Sequence, residues 1–312
     1  MVRATSRRFV AKRIEMSETQ PAPGFVPQQR SARAASIEAA ARLLGDKSPR
    51  VVDAARDYVL SAGAAGREAL LRASEQGCAA TRMRARAMLR AFEVEQWLQR
   101  FSGLELDADA TRGPESLLAG AVFASHMVRT FAPDANELRN KLWREAEVLR
   151  ARFDGRSLNL CARMLSEHLN ESLGFVGRGA SKLELDHVLL DRVVENRLGV
   201  PVTLSMIYLL VARWAGLSVS GVGMPEHFLV RLHGVRPVLV DPYYGGRTVT
   251  KVDCIRHLKS LGYDQVQDHM RDLTDREVLA HYLRALQKAA SHRGSHDARR
   301  SLGEAITLLG AN

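Results

Sequence analysis

Over residues 35–100 apolar side chains, mostly alanine and leucine, recur every three or four positions among interspersed charges. That is the spacing of amphipathic helices. It predicts helix throughout, with Pro49 after Asp46-Lys47-Ser48 opening one helix and Gly45, Gly63, Gly66 and Gly77 at short dividing turns. Residues 102–113 turn polar and lose the period, as a linker would. A second helical stretch covers 114–153, broken at Phe131-Ala132-Pro133-Asp134. There Pro133 disfavours helix at Ala132, and Asp134 can cap the next helix. Further helices are predicted over 161–173, ending at Gly174, and 183–198, ending at Gly199.

Residues 202–215 are apolar almost all round, broken only by Thr203, Ser205, Tyr208 and Arg213, so this helix should be buried on most sides. Pro201 suits its first turn, where a missing N–H costs nothing. Beyond Gly216 the period shifts towards two, and 217–223, 227–232 and 238–241 read as three short strands. A hairpin centred near Gly234 sets residue 227 opposite about residue 242 and brings His227 and Asp241 close across the ladder. A carboxylate beside an imidazole fixes its tautomer and orientation, the base–orienter half of a catalytic triad. A histidine at a strand end and an aspartate capping the 242–246 turn account for the same residues without catalysis.

Composition narrows the classes. The chain of 312 residues has the apolar and charged content of a folded protein of about two domains, and no apolar run long enough to cross a membrane. Cys78, Cys161 and Cys254 form no C-x-x-C pair, so neither a disulfide framework nor a cysteine zinc site is indicated, and a reducing cytoplasm is expected. Half of the net charge of +10 sits in residues 1–35, where seven basic side chains face Glu15 and Glu18. The rest is spread without an aromatic-interleaved basic run, which argues against specific nucleic-acid binding. Residues 1–34 are read as a disordered basic tail, with Met16 a second candidate initiator. His292 and His296 have helical ligand spacing but no third ligand, and no glycine pattern matches a nucleotide fingerprint, so no metal or cofactor is expected.

The segments Gly199-Val200-Pro201-Val202-Thr203-Leu204-Ser205, Pro225-Glu226-His227-Phe228-Leu229-Val230-Arg231 and Val240-Asp241-Pro242-Tyr243-Tyr244-Gly245-Gly246, in that order, resemble the SirB-type branch of the transglutaminase-like superfamily. The resemblance covers about residues 114–255. It implies a mostly helical α+β protein with a cysteine-protease-like core, one buried helix against a small antiparallel sheet. In catalytic members a cysteine at the start of that helix is the nucleophile, a histidine on the following strand its base, and an aspartate on the next strand the orienter. The base role is carried onto His227 and the orienter role onto Asp241. The cysteine position falls at or next to Pro201, which has neither thiol nor hydroxyl.

Thr203 and Ser205, in the first turns of the same helix, are the candidate substitute nucleophiles, although hydroxyls in buried helices commonly bond the carbonyl four residues back. Cys161 and Cys254 lack the nucleophile's context. Residues 35–101 resemble HEAT-type repeats, with a plain helical bundle as the alternative. The echo is Ala55-Arg56 with Val59, returning as Ala85-Arg86 with Leu89. Residues 256–312 resemble a tetratricopeptide-like helical tail. The expectation is a non-catalytic transglutaminase-like protein serving as a protein- or peptide-binding scaffold. The alternative is a hydrolase or acyltransferase using Thr203 or Ser205 with His227 and Asp241.

Overall fold

A computed structural model describes residues 27–106, 114–129, 133–179, 183–291 and 296–310. Most of the basic tail, Phe131, Ala132 and His292 lie outside the described residues. The chain divides into two compact units, residues 1–89 and 90–312. The division falls inside a helix rather than in the polar stretch after Ser102.

The first unit holds α1 (Pro27–Leu43), α2 (Pro49–Ser61), α3 (Ala64–Gln76) and the start of α4 (Ala79–Ser102). Ala55 and Val59 of α2 and Ala85 and Leu89 of α4 all face the interior. Gly66, expected in a turn, lies in α3, where a Cβ would come within 2.0 Å of the Val59 carbonyl oxygen. Its role is close helix packing. Arginines of α4 engage main-chain carbonyls at helix ends: Arg84 Nη1 donates to the oxygens of Leu44 (2.5 Å) and Asp46 (2.9 Å), and Arg82 Nη1 to that of Gly77 (2.7 Å). Such carbonyls have no partner inside their own helix.

In the second unit α5 (Pro114–Val128) and α6 (Ala135–Phe153) flank the break at Pro133, and Asp134 caps α6 by accepting from Asn136 N at 2.8 Å. After α7 (Leu158–Ser166) the chain widens into a π-helical turn over Glu167–Ser172. The helix expected over 183–198 is instead a 3₁₀ turn followed by the short α8 (Leu190–Asn196), ended by Arg197 at φ 64°. Neighbouring segments take the carbonyls a continuous helix would have used. His187 O accepts from Val200 N and Val188 O from Thr203 Oγ1. The two-residue strands β1 (Val176–Gly177) and β2 (Leu198–Gly199) pair in parallel just before the central helix.

That helix, α9 (Pro201–Trp214), is buried on nearly every side. It packs on α5, α6, α11 (Asp275–Ser291) and an antiparallel sheet in the order β3 (Val219–Met224), β4 (His227–Leu232), β5 (Val238–Asp241), β6 (Arg247–Val249). Phe228, Val230, Leu232, Val238 and Val240 face α9 in the main core. On the opposite face Val222, Met224, Leu229 and Leu239 form a smaller cluster with Cys254 and Leu258 of α10 (Lys251–Ser260). Capping boxes start α10 and α11, at Thr250 with Asp253 and at Thr274 with Glu277. The C-terminal helices do not stand apart, because Val278, Leu279 and Tyr282 of α11 and Leu302 of α12 (His296–Leu308) belong to the core that holds α9. No helix among the described residues is long and apolar enough to cross a membrane.

Candidate functional site

The β4–β5 ladder pairs Val230 with Val240 and Leu232 with Val238, centring the hairpin on Val235 rather than Gly234. The one-residue difference matters because side chains alternate between faces. Opposing residues 227 and 242 would set Asp241 against Phe228, whose ring enters the main core. The observed register instead continues to Leu229 opposite Asp241 and makes His227 its diagonal neighbour on the same face. His227 Nδ1 lies 3.1 Å from Asp241 Oδ2.

Asp241 is 1% exposed and uses both oxygens. Oδ1 accepts from Tyr243 N (3.2 Å) and Tyr244 N (3.4 Å), capping the Pro242–Tyr244 turn, while Oδ2 meets the imidazole. The capping and orienting readings therefore describe two oxygens of one carboxylate. His227 has a side-chain exposure of 15%, with the rings of Tyr244 (5.4 Å) and His257 (4.6 Å, edge-on) against it. Tyr243 OH donates to Arg178 O, tying this turn to the residue that follows β1.

β3 begins at Val219 opposite Leu232, so the C-terminal end of α9 lies towards the far end of β4 and Pro201 towards the end that carries His227. Pro201 occupies the first helical position after Val200. Thr203 Oγ1 donates to Val188 O at 2.8 Å and Ser205 Oγ to Phe228 O at 2.5 Å, both side chains being fully buried. Neither uses the carbonyl four residues back. Both pin the helix to neighbouring segments, and the structure joins neither hydroxyl to His227 by a hydrogen bond.

The thiols are no better placed. Burial raises the pKa of Cys161, and burial with the charges of Asp253 and Asp241 raises that of Cys254. Neutral thiols are poor nucleophiles. Cys78, whose pKa is lowered by the hydrogen bond with Thr81, lies in the other unit. No group of three metal-ligating side chains occurs among the described residues. His257 and Tyr208 were not singled out for the site by sequence reasoning. His257 comes from α10, whose Thr250-x-x-Asp253 capping box was the available signal. Tyr208 is a buried α9 residue whose phenol pKa is raised by burial and by the charge of Asp241.

The fold and this dyad define an α+β domain with one buried helix against an antiparallel sheet. Residues 136–284 match the family described as the transglutaminase-like superfamily, and they form a transglutaminase-like domain. A UPF0162 protein of Xylella fastidiosa is 36% identical over 116 residues, 36% of this chain and 41% of the relative. A UPF0162 protein of Vibrio cholerae is 30% identical over 74 residues, 23% and 27% of the two chains. F-box only protein 21 of Mus musculus is 27% identical over 95 residues, 28% of this chain and 15% of that one. The chain thus spans about two fifths or less of the length of these curated relatives. No solved structure gives a significant match.

Proposed function

We propose that the chain is a non-catalytic transglutaminase-like protein of the SirB-type branch, acting in the cytoplasm as a protein- or peptide-binding module. The observation that carries the reading is Pro201 at the first position of α9, towards the end of the sheet where Asp241 holds His227. A helix N-terminus activates a thiol through its dipole, and proline offers no group for that field to act on. The hydroxyls of Thr203 and Ser205 are engaged by main-chain carbonyls, which supports the same conclusion. The inward-facing Ala55 and Val59, matched by Ala85 and Leu89, favour HEAT-like packing of the first unit. The contact between α11 and α12 suits a single tetratricopeptide-like hairpin. Such helical arrays present protein-binding surfaces.

The test is turnover. Purified full-length protein incubated with peptide, amide and ester substrates should release product no faster than buffer, and His227→Ala should leave that rate unchanged. Release above buffer that disappears in His227→Ala overturns the reading.

A further inference from the structure

A groove of about 1410 Å³ lies on the sheet face opposite α9, separate from the His227 dyad. Its apolar surface includes Leu239, Val249, Ile255, Val266 and Met270. Pockets for small ligands run to roughly 300–1,000 Å³, so this one suits a length of chain better than a metabolite. Thr248 and Val249 of β6, the edge strand of the sheet, line one side. Alternate residues of an edge strand turn their N–H and C=O groups outward, where they can pair with an added strand. Among the described residues the backbone of 247–249 makes no hydrogen bond beyond its ladder with β5.

Charge selects the occupant. Arg231 Nη1 is bound to Asp272 Oδ1 at 2.5 Å, and Ser220 Oγ meets both Asp272 Oδ1 (2.7 Å) and His233 Nε2 (2.9 Å), so these groups largely satisfy one another. Lys251 and the exposed Asp264 and Asp268 also line the groove and make no ion pair among the described residues. With Arg231 paired to Asp272, and Arg271 beside Asp268 bound to Glu277, two carboxylates outweigh one ammonium. The groove is therefore locally acidic on a chain of net charge +10.

We infer that this groove binds an extended, cationic peptide segment of a partner protein. The segment lies along β6 with apolar side chains on the groove floor and basic ones towards Asp264 and Asp268. The inference rests on the binding-module reading and gives it a surface and a partner class. Fluorescence anisotropy on the full chain tests it with two labelled decapeptides, one alternating valine with arginine and one valine with glutamate. Non-specific attraction to a +10 chain would favour the glutamate peptide, so preference for the arginine peptide reports the groove. The arginine peptide should bind at least tenfold tighter than the glutamate peptide. Its affinity should fall at least tenfold in Asp264→Lys/Asp268→Lys, both surface positions with little bearing on folding, and on N-methylation of alternate peptide amides. No binding, equal binding of the two peptides, or unchanged affinity in the double variant overturns the assignment. The reading as a non-catalytic module fails separately, on turnover that requires His227.

Discussion

At Glu226 the backbone takes φ 62°, a left-handed conformation in the Pro225-Glu226 turn that joins β3 to β4 and delivers His227. Side chains other than glycine pay about 1 kcal/mol there. Glu226→Gly should therefore raise unfolding stability by about 0.5–1 kcal/mol in a urea titration, a gain set by backbone geometry alone. Gly246 lies at the opposite extreme. At φ 69°, a Cβ would meet Ser166 Oγ at 2.5 Å and Tyr208 OH at 2.6 Å, both buried beside the turn that Asp241 caps. Gly246→Ala should cost about 2–3 kcal/mol by the same titration, since strain and overpacking act together. The hydroxyls of Thr203 and Ser205 give a third test. Because each bonds a buried carbonyl, alanine at either position should lower stability by about 1–2 kcal/mol.

Between elements, Arg213 of α9 is joined to Asp275 at the start of α11 by two bonds of 2.7 Å, with both side chains largely buried. Asp275→Ala leaves an unpaired guanidinium in the interior and should cost about 3–5 kcal/mol, measured by guanidinium unfolding. Arg213 interrupted an otherwise apolar helix in the sequence, but nothing in its neighbourhood pointed to a partner 62 positions away. The same contrast runs through the fold. α9, β4, β5 and the Asp134 cap were legible because periodicity and capping are local properties. The helix expected over 183–198 failed because its carbonyls bond to Val200 and Thr203, a non-local demand that no local pattern encodes. β6 was missed since three residues hold too little alternation to read. At the site, His227 and Asp241 could be placed near one another from spacing, yet the hairpin centre was off by one. The face they share came from the true register.

For the second unit as a whole, acid acts through several groups with lowered pKa values, His281, His187 and Asp253 among them, and the two largest of these shifts belong to His126 and Glu277. His126, stacked on Trp97 at 3.7 Å, has its pKa lowered from 6.5 to about 4 by burial and by Arg90, Arg129 and Arg100. The unfolded chain takes up this proton first. The stability His126 contributes is complete above about pH 6.5 and is lost as the pH falls towards 4. Glu277, held near 2 by Arg271 with help from Thr274, contributes above about pH 4.5 and is lost as the pH falls towards 2. Thermal melts between pH 7 and 4 should fall in the native chain, and the fall should be shallower in His126→Phe, which keeps the stack without the titration.

The all-round burial of α9 also shapes how the chain is made. Its partners are synthesised on both sides of it, with α5 and α6 before and the sheet and α11 after. Translation at about 5–20 residues per second leaves the helix emerged and uncovered for several seconds before the sixty or so residues through the start of α11 follow. Nascent chains stalled so that residues through about 216 have left the ribosomal tunnel should therefore recruit a chaperone that recognises apolar segments, and chains in which α11 has also left it should release it.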